Sequence, residues 1–146
     1  MAETVLGVLR ELEGRAGEPK VKQRLAHHAR ETEGQIRNVQ QAFASLGTEP
    51  QRLPCPAIEG LRAQGEQLLA ESGSGLTDAV ILSGCAQVEH HEIAVYSGLI
   101  TIARQLHHDD VVELLEENLE QEEHTLQEVD QPFEQQAKQL AEQVSA

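Results

Sequence analysis

Aromatic side chains are nearly absent from this chain: they make up 2% of its 146 residues, and tryptophan does not occur. Strands are usually rich in aromatic and β-branched residues, whereas Leu, Ala, Glu and Gln, which abound here, favour helices. The composition therefore predicts an all-α protein. A chain of this length can bury one core but not two, so we expect one domain over residues 1–146.

Cysteines and basic residues are also few. Cys55 and Cys85 are too few for a disulfide framework, and no signal peptide or membrane-length apolar run is visible, so we expect a cytoplasmic protein without a membrane partner. Lys and Arg number 11 against 25 Asp and Glu, which gives a formal net charge of −14. This charge repels phosphates and argues against a nucleic-acid partner.

Apolar spacing and turn residues predict five helices, over residues 3–13, 19–46, 57–71, 76–106 and 109–143. We expect a kink or break in the last helix near Pro132. The first and last pairs of helices are joined by tight turns, and a long crossover containing the short third helix connects the pairs. This connectivity is typical of a ferritin-like four-helix bundle with a short extra crossover helix.

The fourth helix has carboxylates in the middle of its apolar stripe. At alternating steps of three and four, the stripe runs through Leu82, Cys85, Glu89, Glu92, Tyr96, Leu99, Ala103 and Leu106. Burying an ionised carboxylate without compensation costs several kcal/mol. Glu89 and Glu92 therefore need protons, buried cations or a metal ion nearby.

Two other helices also have polar centres. Glu122 lies midway along an apolar stripe of the last helix, and the second helix carries His28, Thr32 and Gln35 on its stripe, with Glu31 one position to the side. Glu92 lies sixteen residues before the turn at His108 and Glu122 fourteen after it. At about 1.5 Å per residue, the two glutamates should lie at nearly the same depth.

Carboxylates and an imidazole that converge inside a helical bundle are typical ligands for two iron or manganese ions. The candidate metal ligands are His28, Glu31, Gln35, Glu89, Glu92 and Glu122. A dinuclear centre of this kind can react with peroxide or dioxygen, as an oxidase or peroxidase does, or oxidise and store iron. Tyr96, one turn from Glu92, is either a donor to a carboxylate or a core residue.

Other interpretations remain open. The glutamates can rotate towards solvent or pair with Arg30, Arg37 or His90, and no Glu-x-x-His motif of common di-iron bundles occurs in the chain. A metal-free helical interaction module, in which buried acids set register and dimer pairing, is the alternative function. His124 should face the surface, since it lies about 200° around the helix from Glu122. Motifs for a hydrolase or transferase are absent.

Four segments resemble the YciE/YciF family of bacterial ferritin-like stress proteins: residues 30–36 (RETEGQI), 55–61 (CPAIEGL), 86–99 (AQVEHHEIAVYSGL) and 114–122 (LLEENLEQE). The resemblance implies a rubrerythrin-like bundle, a homodimer, and a metal site associated with stress conditions. The family's polar centre maps onto the same six candidate residues. Members usually have a longer first helix, and a gapless comparison places Ala2, rather than Glu3, at the family's first-helix glutamate.

Overall fold

Five α-helices form the fold, in the order and near the bounds that the sequence predicts. The computed structural model describes residues 1–144, and this part of the chain contains no strand. The helices are α1 (Ala2–Arg15), α2 (Pro19–Ser45), α3 (Pro56–Glu71), α4 (Thr77–Gln105) and α5 (Asp109–Val144), with one 3₁₀ turn at Ser74–Leu76. The all-α prediction is confirmed. Among residues 1–144, no helix has both the length and the hydropathy to cross a membrane.

The helices form two antiparallel pairs, α1 with α2 and α4 with α5, and α2 packs on α5. The crossover helix α3 lies against α4 and α1 on the outside of the bundle. Asp78, in the first turn of α4, accepts hydrogen bonds from the backbone N–H groups of Gly17 at 2.8 Å and Glu18 at 2.9 Å. This carboxylate therefore fixes the α1–α2 turn to the beginning of α4 and satisfies free amides before α2.

Two apolar clusters occupy opposite ends of the bundle. One is formed around Leu9, Leu25 and Leu82, and the other around Tyr96 and Leu115. Along α2, α4 and α5, eight described residues of the middle region are buried and polar: His28, Thr32, Gln35, Glu89, Glu92, Asn118, Glu122 and Thr125. The apolar ends and polar middles predicted for these helices are thus present.

Beyond Tyr96, the predicted stripe of α4 is correct at Ala103 and wrong at Leu99 and Leu106. Leu99 is 44% exposed and Leu106 is 60% exposed, whereas Ile100 is buried at 4%. The reason is that α1 has 14 residues against 27 in α2, so the far half of α4 packs chiefly on α5. The face that contacts α5 there passes through Ile100 and Ala103, and Leu99 borders an open groove next to Phe43.

Of the kink or break expected near Pro132, the break does not occur, because α5 continues through this residue. Proline lacks the N–H that would bond to the carbonyl four residues earlier, which here belongs to Glu128. The guanidinium Nη1 of Arg24 donates to that carbonyl oxygen at 2.6 Å. A side chain of α2 thus supplies the donor that Pro132 lacks, and the helix continues at little cost.

A double-mutant cycle tests this explanation. Arg24→Met should lower the free energy of unfolding by about 1–2 kcal/mol in the wild-type background, since it leaves the Glu128 carbonyl without a donor. In a Pro132→Ala background the cost should be smaller, because the new N–H at position 132 can bond to this carbonyl. Urea denaturation measures all four proteins. An equal cost in both backgrounds would show that Arg24 acts only through the carboxylate of Glu128, 3.7 Å away.

Candidate metal centre

One imidazole and three carboxylates converge at the centre of the bundle. They belong to His28 on α2, Glu89 and Glu92 on α4, and Glu122 on α5, and one ligand atom from each lies within 4.8 Å of all the others. His28 is 4% exposed and the three glutamates are 0% exposed. The structure therefore brings together four of the six candidate ligands.

Local sequence explains this convergence. Glu89 and Glu92 are three residues apart and so share one face of α4. The α4–α5 turn occupies only residues 106–108 and includes His107 in the left-handed region, with a φ of 57°. Because the turn is so short, α5 returns beside α4, and Glu122 reaches the level of Glu92, as the residue count predicted.

His28 is the basic side chain that faces the carboxylates. Its Nδ1 lies 3.4 Å from Oε1 of Glu89, and its Nε2 lies 3.7 Å from Oε2 of Glu122. Arg30, Arg37 and His90, the alternative partners, are exposed. Within residues 1–144, no ion pair joins any of these three side chains to the buried glutamates.

Burial and mutual repulsion control the protonation of the three acids. Burial raises the pKa of Glu89 well above its usual range, and a hydrogen bond to Glu122 raises it further. Burial and the charge of Glu122 likewise raise the pKa of Glu92. At Glu122 burial acts in the same direction, but the nearby imidazole of His28, whose Nε2 lies 3.7 Å from Oε2, and a hydrogen bond from Glu89 outweigh it and lower the pKa. Burial therefore favours the protonated form of Glu89 and Glu92, whereas the neighbours of Glu122 favour its ionised form.

The cluster has many buried polar atoms without partners. If all three acids are ionised, their six oxygens have no hydrogen-bond donor in the described structure, and Nε2 of His28 has no acceptor. A proton shared between Glu89 and Glu122 satisfies that pair alone. Unpaired buried polar atoms are costly and rare, and carboxylate oxygens with an imidazole nitrogen are ligands for iron or manganese. The residues present thus fit such an ion.

The other two candidate ligands have different positions. Gln35 is 1% exposed, and its side chain interacts with Glu122, so its amide lies beside the cluster. Glu31 lies outside it: its side chain is 19% exposed, 3.4 Å from Nε2 of His27, and accepts a 3.3 Å hydrogen bond from Thr125. Glu3 is exposed and pairs with Arg52. Within the described part of α1, no side chain joins the cluster.

Sequence reasoning missed two buried polar residues of α5. Asn118 is 0% exposed and Thr125 is 5% exposed, and neither is among the candidate residues of the sequence analysis. The amide of Asn118 accepts from Asn38 at 2.9 Å and donates to the Gln35 carbonyl at 3.3 Å. The sequence does contain a signal for their burial, because a three-four spacing on α5 also runs through Leu115, Asn118, Glu122, Thr125 and Val129.

Two side chains near the cluster remain protonated. Tyr96 is 1% exposed, and burial raises its pKa, so its hydroxyl retains its proton. Burial raises the pKa of the Cys85 thiol to about 12, which makes it a small, unreactive core residue. His124 is exposed, and its predicted surface position is confirmed.

Comparisons with known proteins agree on one family. The family model for a domain of unknown function (DUF892) matches residues 1–142. The protein YciF of Escherichia coli K12 is 34% identical over 108 residues, which span 73% of this chain and 65% of YciF.

Two solved structures are similar over most of their length. The crystal structure of the E. coli stress protein YciF is 29% identical and has a TM-score of 0.87, with 94% of this chain and 87% of that chain covered. YcfI from Rhodopseudomonas palustris, described as a candidate structural protein, is 33% identical with a TM-score of 0.85, over 88% and 83% of the two chains.

Proposed function

We propose that this chain, which belongs to the YciF family (DUF892), binds iron or manganese between His28, Glu89, Glu92 and Glu122 and handles metal or peroxide under stress. The observation that carries the proposal is the enclosed cluster itself. Three carboxylates with 0% exposure face a single imidazole, and their oxygens lack donors. A bound cation offsets the free-energy cost of burying these three carboxylates. Without a cation, apolar side chains of similar volume would be at least as stable at these positions.

The proposed ligands have distinct roles. The oxygen ligands come from Glu89, Glu92 and Glu122. His28 supplies one ring nitrogen, and either nitrogen can serve, because Nδ1 faces Glu89 and Nε2 faces Glu122. The buried side-chain amide of Gln35 lies beside Glu122 and has no hydrogen-bond partner among the described residues, so it is available to the centre. The apolar clusters at both ends exclude water and so strengthen electrostatic attraction within the centre. Bound iron or manganese supplies redox chemistry towards dioxygen or a peroxide.

We infer a dinuclear centre. Three carboxylates offer six oxygen atoms, and carboxylates can bridge two ions. Di-iron bundles commonly use four glutamates and two histidines, whereas this cluster has three glutamates and one histidine and no ligand from α1. Fewer protein ligands leave coordination positions for small exogenous molecules, as expected of a site that reacts with dioxygen or peroxide rather than one that is purely structural.

Elemental analysis tests the proposal. Protein purified without chelator or affinity metal should contain about two iron or manganese ions per chain, or take up that amount after anaerobic addition of ferrous iron. Glu92→Gln should lose most of this metal, because the amide removes an anionic ligand. Glu123→Gln, an exposed neighbour of the cluster on α5, is the matched control and should retain it. No bound metal and no uptake by the wild-type protein would overturn the proposal.

A further inference from the structure

A small apolar cavity leads to one side of the candidate metal centre. Its volume is about 50 Å³, and it lies between α1, α3 and α4. Its walls are almost entirely aliphatic, from residues such as Val5, Leu9, Ile58, Ile81 and Val88. At its inner end the lining consists of His28 and Glu89, two members of the cluster.

The small volume and the aliphatic lining of the cavity limit which molecules can bind in it. A cavity of about 150 Å³ with aliphatic walls holds benzene or xenon and stays free of water, so a space about one third as large admits only a molecule of a few atoms. Between a polar edge at Arg62 and Glu66 and the buried pair His28 and Glu89, the cavity offers water, peroxide and hydrated cations almost no hydrogen-bonding group. An uncharged, apolar, diatomic molecule fits the cavity best.

Helix α3 forms the outer wall of this cavity and makes the weakest contacts with the rest of the bundle. Helix α3 has a single buried side chain, Ile58, at 1% exposure. Two exposed ion pairs tie it to α1: Arg15 to Glu66 at 2.6 Å and Arg62 to Glu11 at 2.7 Å. Arg62 and Glu66 also form the polar edge of the cavity. Because exposed ion pairs contribute little, local opening of α3 should require less free energy than opening of the bundle.

We propose that this cavity is the passage through which dioxygen reaches the His28–Glu89 side of the centre, an inference that rests on the proposed metal-binding function. The passage brings the oxidant to the cluster through apolar surroundings. Glu31 and Thr125 do not line this cavity and instead border a second one. The proposal concerns binding and access alone.

Xenon, an apolar probe, tests the passage without any metal. Crystals of the metal-free protein under xenon pressure should show anomalous density in the cavity. Gly84→Leu should abolish this density, since Gly84 borders the cavity and a Cβ built there meets no atom within 4 Å. Gly98→Leu is the matched control: Gly98 is an exposed residue of α4, has the same free space at its Cβ and should leave the xenon site unchanged.

The same variants test delivery of dioxygen. After anaerobic loading with equal ferrous iron, Gly84→Leu should oxidise iron markedly more slowly than wild type, and Gly98→Leu should match wild type. If Gly84→Leu does not fold, Gly65→Leu fills the cavity from α3, where a Cβ also meets no atom within 4 Å.

The outcomes separate the two proposals. Xenon in the cavity of a protein that takes up no metal supports the cavity as a site for apolar molecules and overturns only the proposed metal function. Metal uptake without xenon in the cavity overturns the passage. Oxidation at the wild-type rate in a folded, cavity-filled variant overturns it as well.

Discussion

Replacing Glu89 and Glu92 together by glutamine should stabilise the metal-free protein at neutral pH and remove most of the pH dependence that these residues impose. Both carboxyl groups have pKa values raised above 4.5, chiefly by burial. Glutamine has nearly the same shape and cannot ionise. The substitution therefore removes the electrostatic cost of two buried acids while it preserves the packing around them.

The direction in which stability changes with pH depends on whether the native or the unfolded state binds more protons. Above pH 4.5 an unfolded chain has released the protons of Glu89 and Glu92, whereas the native state still holds them. Their stabilising contribution is complete below pH 4.5 and decreases as the pH rises towards the native pKa values, by about 1.4 kcal/mol per pH unit for each group. Glu122, whose pKa is lowered, contributes stability that is lost as the pH falls.

Urea denaturation of the metal-free proteins between about pH 4 and pH 8 measures the effect. The control is Glu117→Gln with Glu120→Gln, which makes the same chemical change at two exposed carboxylates of α5. This control should retain the wild-type slope. Parallel pH profiles for the wild type and the Glu89→Gln, Glu92→Gln variant would contradict the assigned protonation of the cluster.

The same double variant distinguishes the metal centre from a device for dimer pairing. We propose a homodimer, which the exposed apolar side chains of Leu99, Ile102 and Leu106 along α4 support. A metal protein should lose its ions on double substitution and keep its oligomeric state in sedimentation equilibrium. A change of oligomeric state, with no metal bound to the wild type, would favour the acids as determinants of pairing.

Ferrous or manganous ions should raise the thermal stability of the wild-type protein by a large amount. A ligand at a thousandfold excess over its dissociation constant adds about 4 kcal/mol, which corresponds to roughly 10 °C in the melting temperature of a domain of this size. Glu92→Gln should abolish most of this shift, because Glu92 is a proposed ligand. Glu31→Gln should retain it, since Glu31 lies outside the cluster and bonds to Thr125.

The metal-induced shift should increase with pH, because Glu89 and Glu92 must release their protons before they can bind a cation. Thermal unfolding monitored by circular dichroism, with chelator added to reverse the shift, measures it. An equal shift in Glu92→Gln and wild type would point to adventitious binding on the acidic surface. Loss of the shift in Glu31→Gln would place Glu31 among the ligands.

The local sequence was sufficient to predict most of the candidate site. A helical period places Glu89 and Glu92 on one face whatever surrounds them, and the short turn at residues 106–108 fixes the level of Glu122. The same helical period, applied to α2, predicted that His28 lies on the face that enters the site. These predictions succeeded because helix period and turn length depend on neighbouring residues alone.

The all-α class, the helix order and a polar layer in the middle of three helices follow from local sequence alone. Packing between the helices sets which flanking residues enter that layer: Asn118 and Thr125 are buried, whereas Glu31 lies at its edge. It also decided that α5 continues through Pro132, since the donor Arg24 lies 104 residues from Glu128. The physical reason is that the rotation of one helix against another, and hence the partners of its flanking side chains, depends on packing between residues distant in sequence.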